Sequence, residues 1–259
     1  MAILAAKIFI GGVSRIAAFT EKVVPIMAVF YVLGSLGIIL SNYVEIGPAF
    51  KMIFVGAFNP KAATGGLIGV SVKEAMRYGI ARGLFSNEAG MGSTPHAHAV
   101  AKVKHPAEQG LVAIVGVCID TFIILTLTAL VILTTGALDG KTTGIALTQK
   151  AFEYGMGSFG HVFIAIALFF FAFSTIVAWY FFGEANVKFL FGKKVLNIYR
   201  ALVIVFIILG SSLKVELVWE LADTFNGLMV IPNLIALLGL GALVKKTLKN
   251  YEDDFEDKK

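Results

Sequence analysis

The stretch Gly83-Leu84-Phe85-Ser86-Asn87-Glu88-Ala89-Gly90-Met91-Gly92-Ser93-Thr94-Pro95 decides how this chain is read. It places glycines, serines, an asparagine, a glutamate and a proline inside a segment, Gly79–Ala101, whose neighbours on either side are long and apolar. Glycine permits tight or left-handed backbone, and proline removes a hydrogen-bond donor, so the spacing predicts an unwound stretch between two half-helices. In lipid such a break is tolerated only where protein or a water-filled cavity satisfies the freed backbone groups. Half-helix ends near the bilayer midplane are also where secondary transporters hold substrates and coupling ions. The alternative is close helix packing through Gly79 and Gly83, spaced as G-x-x-x-G.

Working outward, the charge-free lengths predict membrane spans of about 20 apolar residues each. Val23–Val44 and Thr224–Val244 are uncharged, and His161–Gly183 carries only a histidine at its edge. Gly110–Leu138 is interrupted by Asp120 alone, and Val195–Leu213 spans if the charge of Arg200 snorkels to one surface. With Gly79–Ala101 counted, Lys7, Arg15, Lys22, Lys102, Lys104, Lys188, Lys193, Lys194, Arg200, Lys245, Lys246 and Lys249 all fall on one side. The opposite connections hold fewer cations: Lys51, Lys61, Lys141, Lys150 and Lys214. The positive-inside rule therefore predicts about six spans in the plasma (inner) membrane, multi-pass, with both termini cytoplasmic.

Composition agrees with that class. The 259 residues are 58% hydrophobic and 15% charged, with a mean hydropathy of +0.84, well outside the balance of soluble domains. A net charge of +5 is spread in short clusters between apolar runs, which argues against nucleic acid as a partner. The single cysteine, Cys118, excludes a disulfide framework and a cysteine-based zinc site. Residues 1–22 read as a cytoplasmic amphipathic or connecting segment without the features of a signal peptide, 23–248 as the transmembrane helical domain, and 249–259 as a charged cytoplasmic tail.

The run GLFSNEAGMGSTPHAHAVAK, followed by HPAEQGLVAIVGVCIDTFIILTLTALVILTTG, resembles the sodium:alanine/glycine symporter family (amino acid carrier, sodium symporter). FAFSTIVAWYFFGEAN, ending at Asn186, and ELADTFNGLMVIPNLIAL, Glu220 to Leu237, resemble later segments of that family in the same order. The resemblance runs from Gly11 to Leu248 and matches the C-terminal part of family members, which are nearly twice as long. It implies an all-α polytopic membrane protein with a partial leucine-transporter-type inverted-repeat fold, made of the last helix of the first repeat plus the second repeat. It also implies part of a sodium-coupled symporter that imports alanine, glycine or a similar small neutral amino acid by alternating access. The partners so implied are that amino acid, sodium, the lipid bilayer and a missing N-terminal half. A non-transporting membrane subunit or truncated fragment that only packs against a partner half is the competing reading.

The resemblance also distributes roles. Ser174 and Thr175 are adjacent hydroxyls where this fold's eighth core helix supplies oxygens to sodium, the coupling ion; no other cofactor is implied. Sodium suits hard oxygen ligands. The alternative is that each hydroxyl back-bonds to a carbonyl one turn earlier. Ser86, Asn87, Glu88, Ala89, Gly90, Met91 and Gly92 form the expected break, whose exposed amides and carbonyls suit a zwitterion. Trp179, one helical turn after Thr175, either walls that pocket or is a core or lipid-facing aromatic. Gly83, Glu88 and Asp120 are structural or gating candidates, since a carboxylate deep in a span requires a partner; for Asp120 this is Arg77, Arg82 or backbone amides.

Enzymatic motifs fail on spacing. His96 and His98 stand two apart and do not share a helix face, and no H-E-x-x-H accompanies them. Asp139-Gly140-Lys141-Thr142 lacks the four-residue gap and preceding strand of a phosphate loop.

Overall fold

A computed structural model describes residues 1–58 and 72–256. Among the described residues the secondary structure is helical: α1 (Ala2–Ile10), α2 (Gly12–Ser41), α3 (Ile46–Phe58), α4 (Val72–Asn87), α5 (Pro95–His98), α6 (Pro106–Thr134), α7 (Gly144–Met156), α8 (Ser158–Phe191), α9 (Leu196–Gly210) and α10 (Val215–Glu256). Four of them, α2, α6, α8 and the Val215–Asp254 part of α10, are long and apolar enough to cross a bilayer. Their outer faces carry exposed apolar side chains, among them Leu238 at 84% and Phe122 at 71% exposure, which water would not favour but lipid would.

The helices overshoot the apolar windows read from the sequence. The α2 helix starts at Gly12 and runs through Pro25, so the expected connecting segment 1–22 is split at Gly11–Gly12, and its second half continues the span. Likewise α10 continues through Lys245, Lys246 and Lys249 to Glu256. Hydropathy marks where the lipid-compatible surface ends. Backbone hydrogen bonding continues past it, because lysine and glutamate are good helix formers. The described part of the tail is therefore helical, and the ring of Tyr251 lies 5.1 Å from that of His105; residues 257–259 and the Lys61 connection lie outside the described residues.

Two expected spans take another form. The α9 helix has 15 residues, roughly 22 Å at 1.5 Å per residue and short of the hydrocarbon thickness. Arg200 within it has partners on α8: its Nη2 lies 3.6 Å from Glu184 Oε2, and its Nε donates to the Tyr180 hydroxyl at 3.0 Å. The polar segment is helical as α4 up to Asn87, then unwound, and resumes only as the four-residue α5. In α6, Ile119–Ile124 form a π-helical turn that contains Asp120. Close packing at Gly79 and Gly83 is absent among the described residues, since a Cβ at either would meet nothing within 4 Å.

The chain divides into two compact units. One comprises residues 17–83 and 119–175, with a core of Tyr31, Ile38, Ala49, Val131, Phe152 and Ile164, among others. There the ring of Phe163 occupies the space a Cβ on Gly34 would need, and Tyr31 shares a 2.6 Å hydrogen bond with Thr128. The Thr128 hydroxyl donates in turn to the Ile124 carbonyl of the π turn at 2.8 Å, so that irregular turn is tied to α2. The other unit comprises residues 1–16, 84–118 and 176–259. In it Phe9 stacks on Tyr180 at 3.7 Å between ring centres, and Tyr180 donates to Glu184.

Candidate functional site: the unwound segment after α4

The break begins where α4 runs out of helix formers. The Glu88 amide makes the last helical bond, to the Leu84 carbonyl at 2.9 Å. Glu88 then turns left-handed with φ 56°, followed by Gly90 at 87° and Gly92 at 86°. Glycine adopts such values without steric cost, whereas glutamate does so only when its surroundings hold it.

Side chains from within the segment hold the turn. Asn87 Oδ1 accepts the Ala89 amide at 2.9 Å, and the Glu88 carbonyl accepts the Met91 amide at 3.2 Å. The Ser93 hydroxyl donates to Glu88 Oε2 at 2.6 Å. Ser93 and Met91 are both buried, at 2% exposure. Beyond the break, Pro95 opens α5, and His96 Nδ1 meets the Ser93 carbonyl at 2.8 Å. His98 is engaged by Gln109, Nδ1 to Nε2, at 2.7 Å. Both imidazoles are thus used in local hydrogen bonds, and among the described residues no group of three metal-ligating side chains occurs.

Two residues of the same unit, Trp179 and Asn233, reach the break. Trp179 of α8 donates its indole N–H to Glu88 Oε1 at 3.0 Å. Asn233 of α10 donates from Nδ2 to the Gly90 carbonyl at 2.8 Å. Asn233 also sits so close to Gly92 that a Cβ there would stand 3.1 Å from its side chain. The structure therefore brings Asn87, Glu88, Ala89, Gly90, Gly92 and Trp179 together, and adds Ser93 and Asn233. Ser86 lies exposed in the last turn of α4. Asn233 follows Pro232 inside the uncharged stretch Thr224–Val244 of α10; an amide in such a stretch beside a residue that removes a backbone donor is the signal that identifies it.

Ser174 and Thr175 belong to the other unit. Both donate to one carbonyl, that of Phe171, at 3.0 and 2.9 Å, and Ser174 Oγ also lies 3.8 Å from the sulfur of Met27. This is the back-bonding arrangement. It commits the hydroxyl protons to the Phe171 carbonyl. The Asp139 loop turns inward on itself: its carboxylate accepts the Lys141 and Thr142 amides at 2.9 and 2.7 Å and the Lys150 ammonium at 2.9 Å. Those amides are not presented to a phosphate. The Lys150 ammonium, with these donors behind it, holds the Asp139 carboxyl well below the ordinary carboxylate range.

Chemically, the break offers short runs of amides and carbonyls, a carboxylate with both oxygens engaged, and an indole. That set suits recognition of a small polar molecule by backbone dipoles; it lacks an assembled nucleophile and base. A comparison with known proteins gives the arrangement a context. The model of the sodium:alanine symporter family matches residues 1–259. The chain is 42% identical over 257 residues to the sodium/alanine symporter AgcS of Methanococcus maripaludis, covering 98% of this chain and 56% of that protein. It is 42% identical over 246 residues to the probable sodium/glutamine symporter GlnT of Bacillus subtilis, covering 94% and 51%. An uncharacterized transporter of Haemophilus influenzae is likewise 42% identical over 251 residues, covering 96% and 55%. The chain thus spans about half the length of these relatives. The family match runs from end to end and lends no support to a separate N-terminal half as a partner. A match over every residue, with relatives of this identity along nearly the whole chain, makes it a member of the sodium:alanine symporter family, a family of membrane transporters and not of enzymes.

Proposed function

We propose that this chain carries the substrate-binding break of a sodium-coupled symporter for a small neutral amino acid, alanine or glycine foremost, working by alternating access in the plasma membrane. The observation that supports this most is the unwound segment from Glu88 to Thr94, pinned by Trp179 and Asn233 of two long apolar helices. The amide end of a half-helix favours the substrate carboxylate and the carbonyl end its ammonium, so a zwitterion is held with little side-chain charge. Ser174 and Thr175 supply oxygens to sodium, whose binding is linked to that of the amino acid. The AgcS name supports alanine and the GlnT name a larger amide-bearing relative. The indole of Trp179 limits the side chain that fits. Both termini are cytoplasmic, in keeping with the charge bias of the connections.

The test is alanine binding titrated at several sodium concentrations, using membranes from cells that express the reading frame containing this chain. Ser174→Ala or Thr175→Ala should raise the sodium requirement by about 5- to 150-fold, the range of a lost buried polar ligand, while saturating sodium restores alanine binding. Asn87→Ala should weaken alanine more than sodium. Sodium dependence equal to that of the parent in both hydroxyl variants would remove Ser174 and Thr175 from the ion site.

A further inference from the structure

We propose that Glu88 is a positioning residue for the substrate site: from within the break its carboxylate fixes the indole of Trp179, and so sets which amino acid side chains fit. This rests on the reading of the break as the substrate site. Among the described residues Glu88 alone, apart from glycines, has a positive φ, 56°. A glutamate in that conformation is held there by something other than its own preference. The restraint lies in its side chain. Oε2 receives the Ser93 hydroxyl at 2.6 Å, and Oε1 receives the Trp179 indole at 3.0 Å.

The donor and acceptor roles leave one arrangement. An indole N–H can only donate, so the bond has a single sense, from Trp179 to the Glu88 oxygen. Trp179 stands 91 residues from Glu88 on α8, and its ring makes an edge contact with Phe182 at 6.0 Å between centres. Phe182 lies 6.1 Å from the ring of His96, which is itself held at the Ser93 carbonyl. Glu88 therefore closes a loop of contacts from the break to α8 and back to α5. The rotation of the indole and the conformation of the break are coupled through one carboxylate.

This chain has two tryptophans, and Trp219 packs edge-on against Phe85, so Trp219→Phe, with any tryptophan of the reading frame outside this chain likewise replaced by Phe, keeps a ring there and leaves Trp179 as the sole tryptophan. In that background Glu88→Ala should shift Trp179 emission and lower its anisotropy, while Glu88→Gln, which keeps an acceptor for the indole, should stay near the parent. In uptake, Glu88→Ala should change the ratio of KM values for alanine and a larger neutral amino acid by about tenfold, the scale of one hydrogen bond, with kcat moving less. The double variant Glu88→Ala/Trp179→Phe should match Trp179→Phe alone to within about twofold, because one residue acts through the other. Where Glu88→Ala does not give folded protein, Ser93→Ala releases Oε2 and should move the same emission in the same direction. Unchanged Trp179 emission in the alanine variant, or independent and multiplying effects of the two substitutions, overturns the proposal. A parent without sodium-dependent uptake but with the emission response intact overturns the substrate role and places the fault in the transport reading.

Discussion

Substituting alanine for Gly92, compared with the same change at Gly90, separates backbone strain from a close contact in the break. Both glycines have left-handed φ, 86° and 87°. A Cβ at Gly90 meets open space, whereas one at Gly92 stands 3.1 Å from Cβ and Cγ of Asn233 and 3.2 Å from its Oδ1. Left-handed backbone costs an L-residue about 1–2 kcal/mol, and both variants incur that. Gly92→Ala must also push Asn233 by a few tenths of an ångström, and Asn233 is the residue that holds the Gly90 carbonyl at 2.8 Å. Loosening that bond adds about 0.5–1.5 kcal/mol. In a chain of this size the extra cost corresponds to a midpoint lower by roughly 2–5 °C relative to Gly90→Ala. Thermal unfolding in detergent, followed by tryptophan emission, reads both variants. In an Asn233→Gly background, which removes the Asn233 Cβ as well as its amide, the contact is gone, and the two alanine variants should become equal. If Gly90→Ala costs as much as Gly92→Ala in the parent, or if the gap survives removal of Asn233, the close approach is not what requires glycine at 92.

Two further outcomes follow from charge. Arg200→Ala leaves Glu184, 8% exposed, without its cation; breaking such a pair costs about 3–5 kcal/mol when fully buried, and less here because the arginine side chain is 26% exposed. Arg200→Ala/Glu184→Gln should recover most of the loss in thermal unfolding, and failure to recover any would mean that the pair is not what Arg200 contributes. Asp139→Asn tests the loop before α7. Its carboxyl titrates lower in the folded chain than in the unfolded one, so the contribution is fully present above the ordinary carboxylate pKa of about 3.9 and is lost as pH falls toward the folded value. The midpoint difference between parent and Asp139→Asn should be flat from neutral pH to about 5 and shrink only below about 4; a difference that changes between pH 6 and 8 would assign the effect to another group.

The sequence by itself determined the elements whose causes are local. Long uncharged runs gave α2, α6, α8 and α10 their apolar faces, because a backbone in lipid must satisfy its own hydrogen bonds and a helix does so within one segment. The break was equally legible, since Gly90, Gly92 and Pro95 act on the residues beside them. Helix ends were less so: the lysines after Val244 mark the edge of the apolar surface but do not interrupt the hydrogen bonds of α10. Only the tertiary structure decided what the polar side chains meet. Glu88 finds Trp179 at 91 residues' separation and Gly90 finds Asn233 at 143, and Arg200 is neutralised by Glu184 across the α8–α9 connection. The π turn that carries Asp120 is likewise set by packing, through Thr128 and Tyr31. Periodicity records which face of a helix is apolar. It does not record which polar atom on a distant helix will lie within 3 Å, because that distance is fixed only when the helices pack.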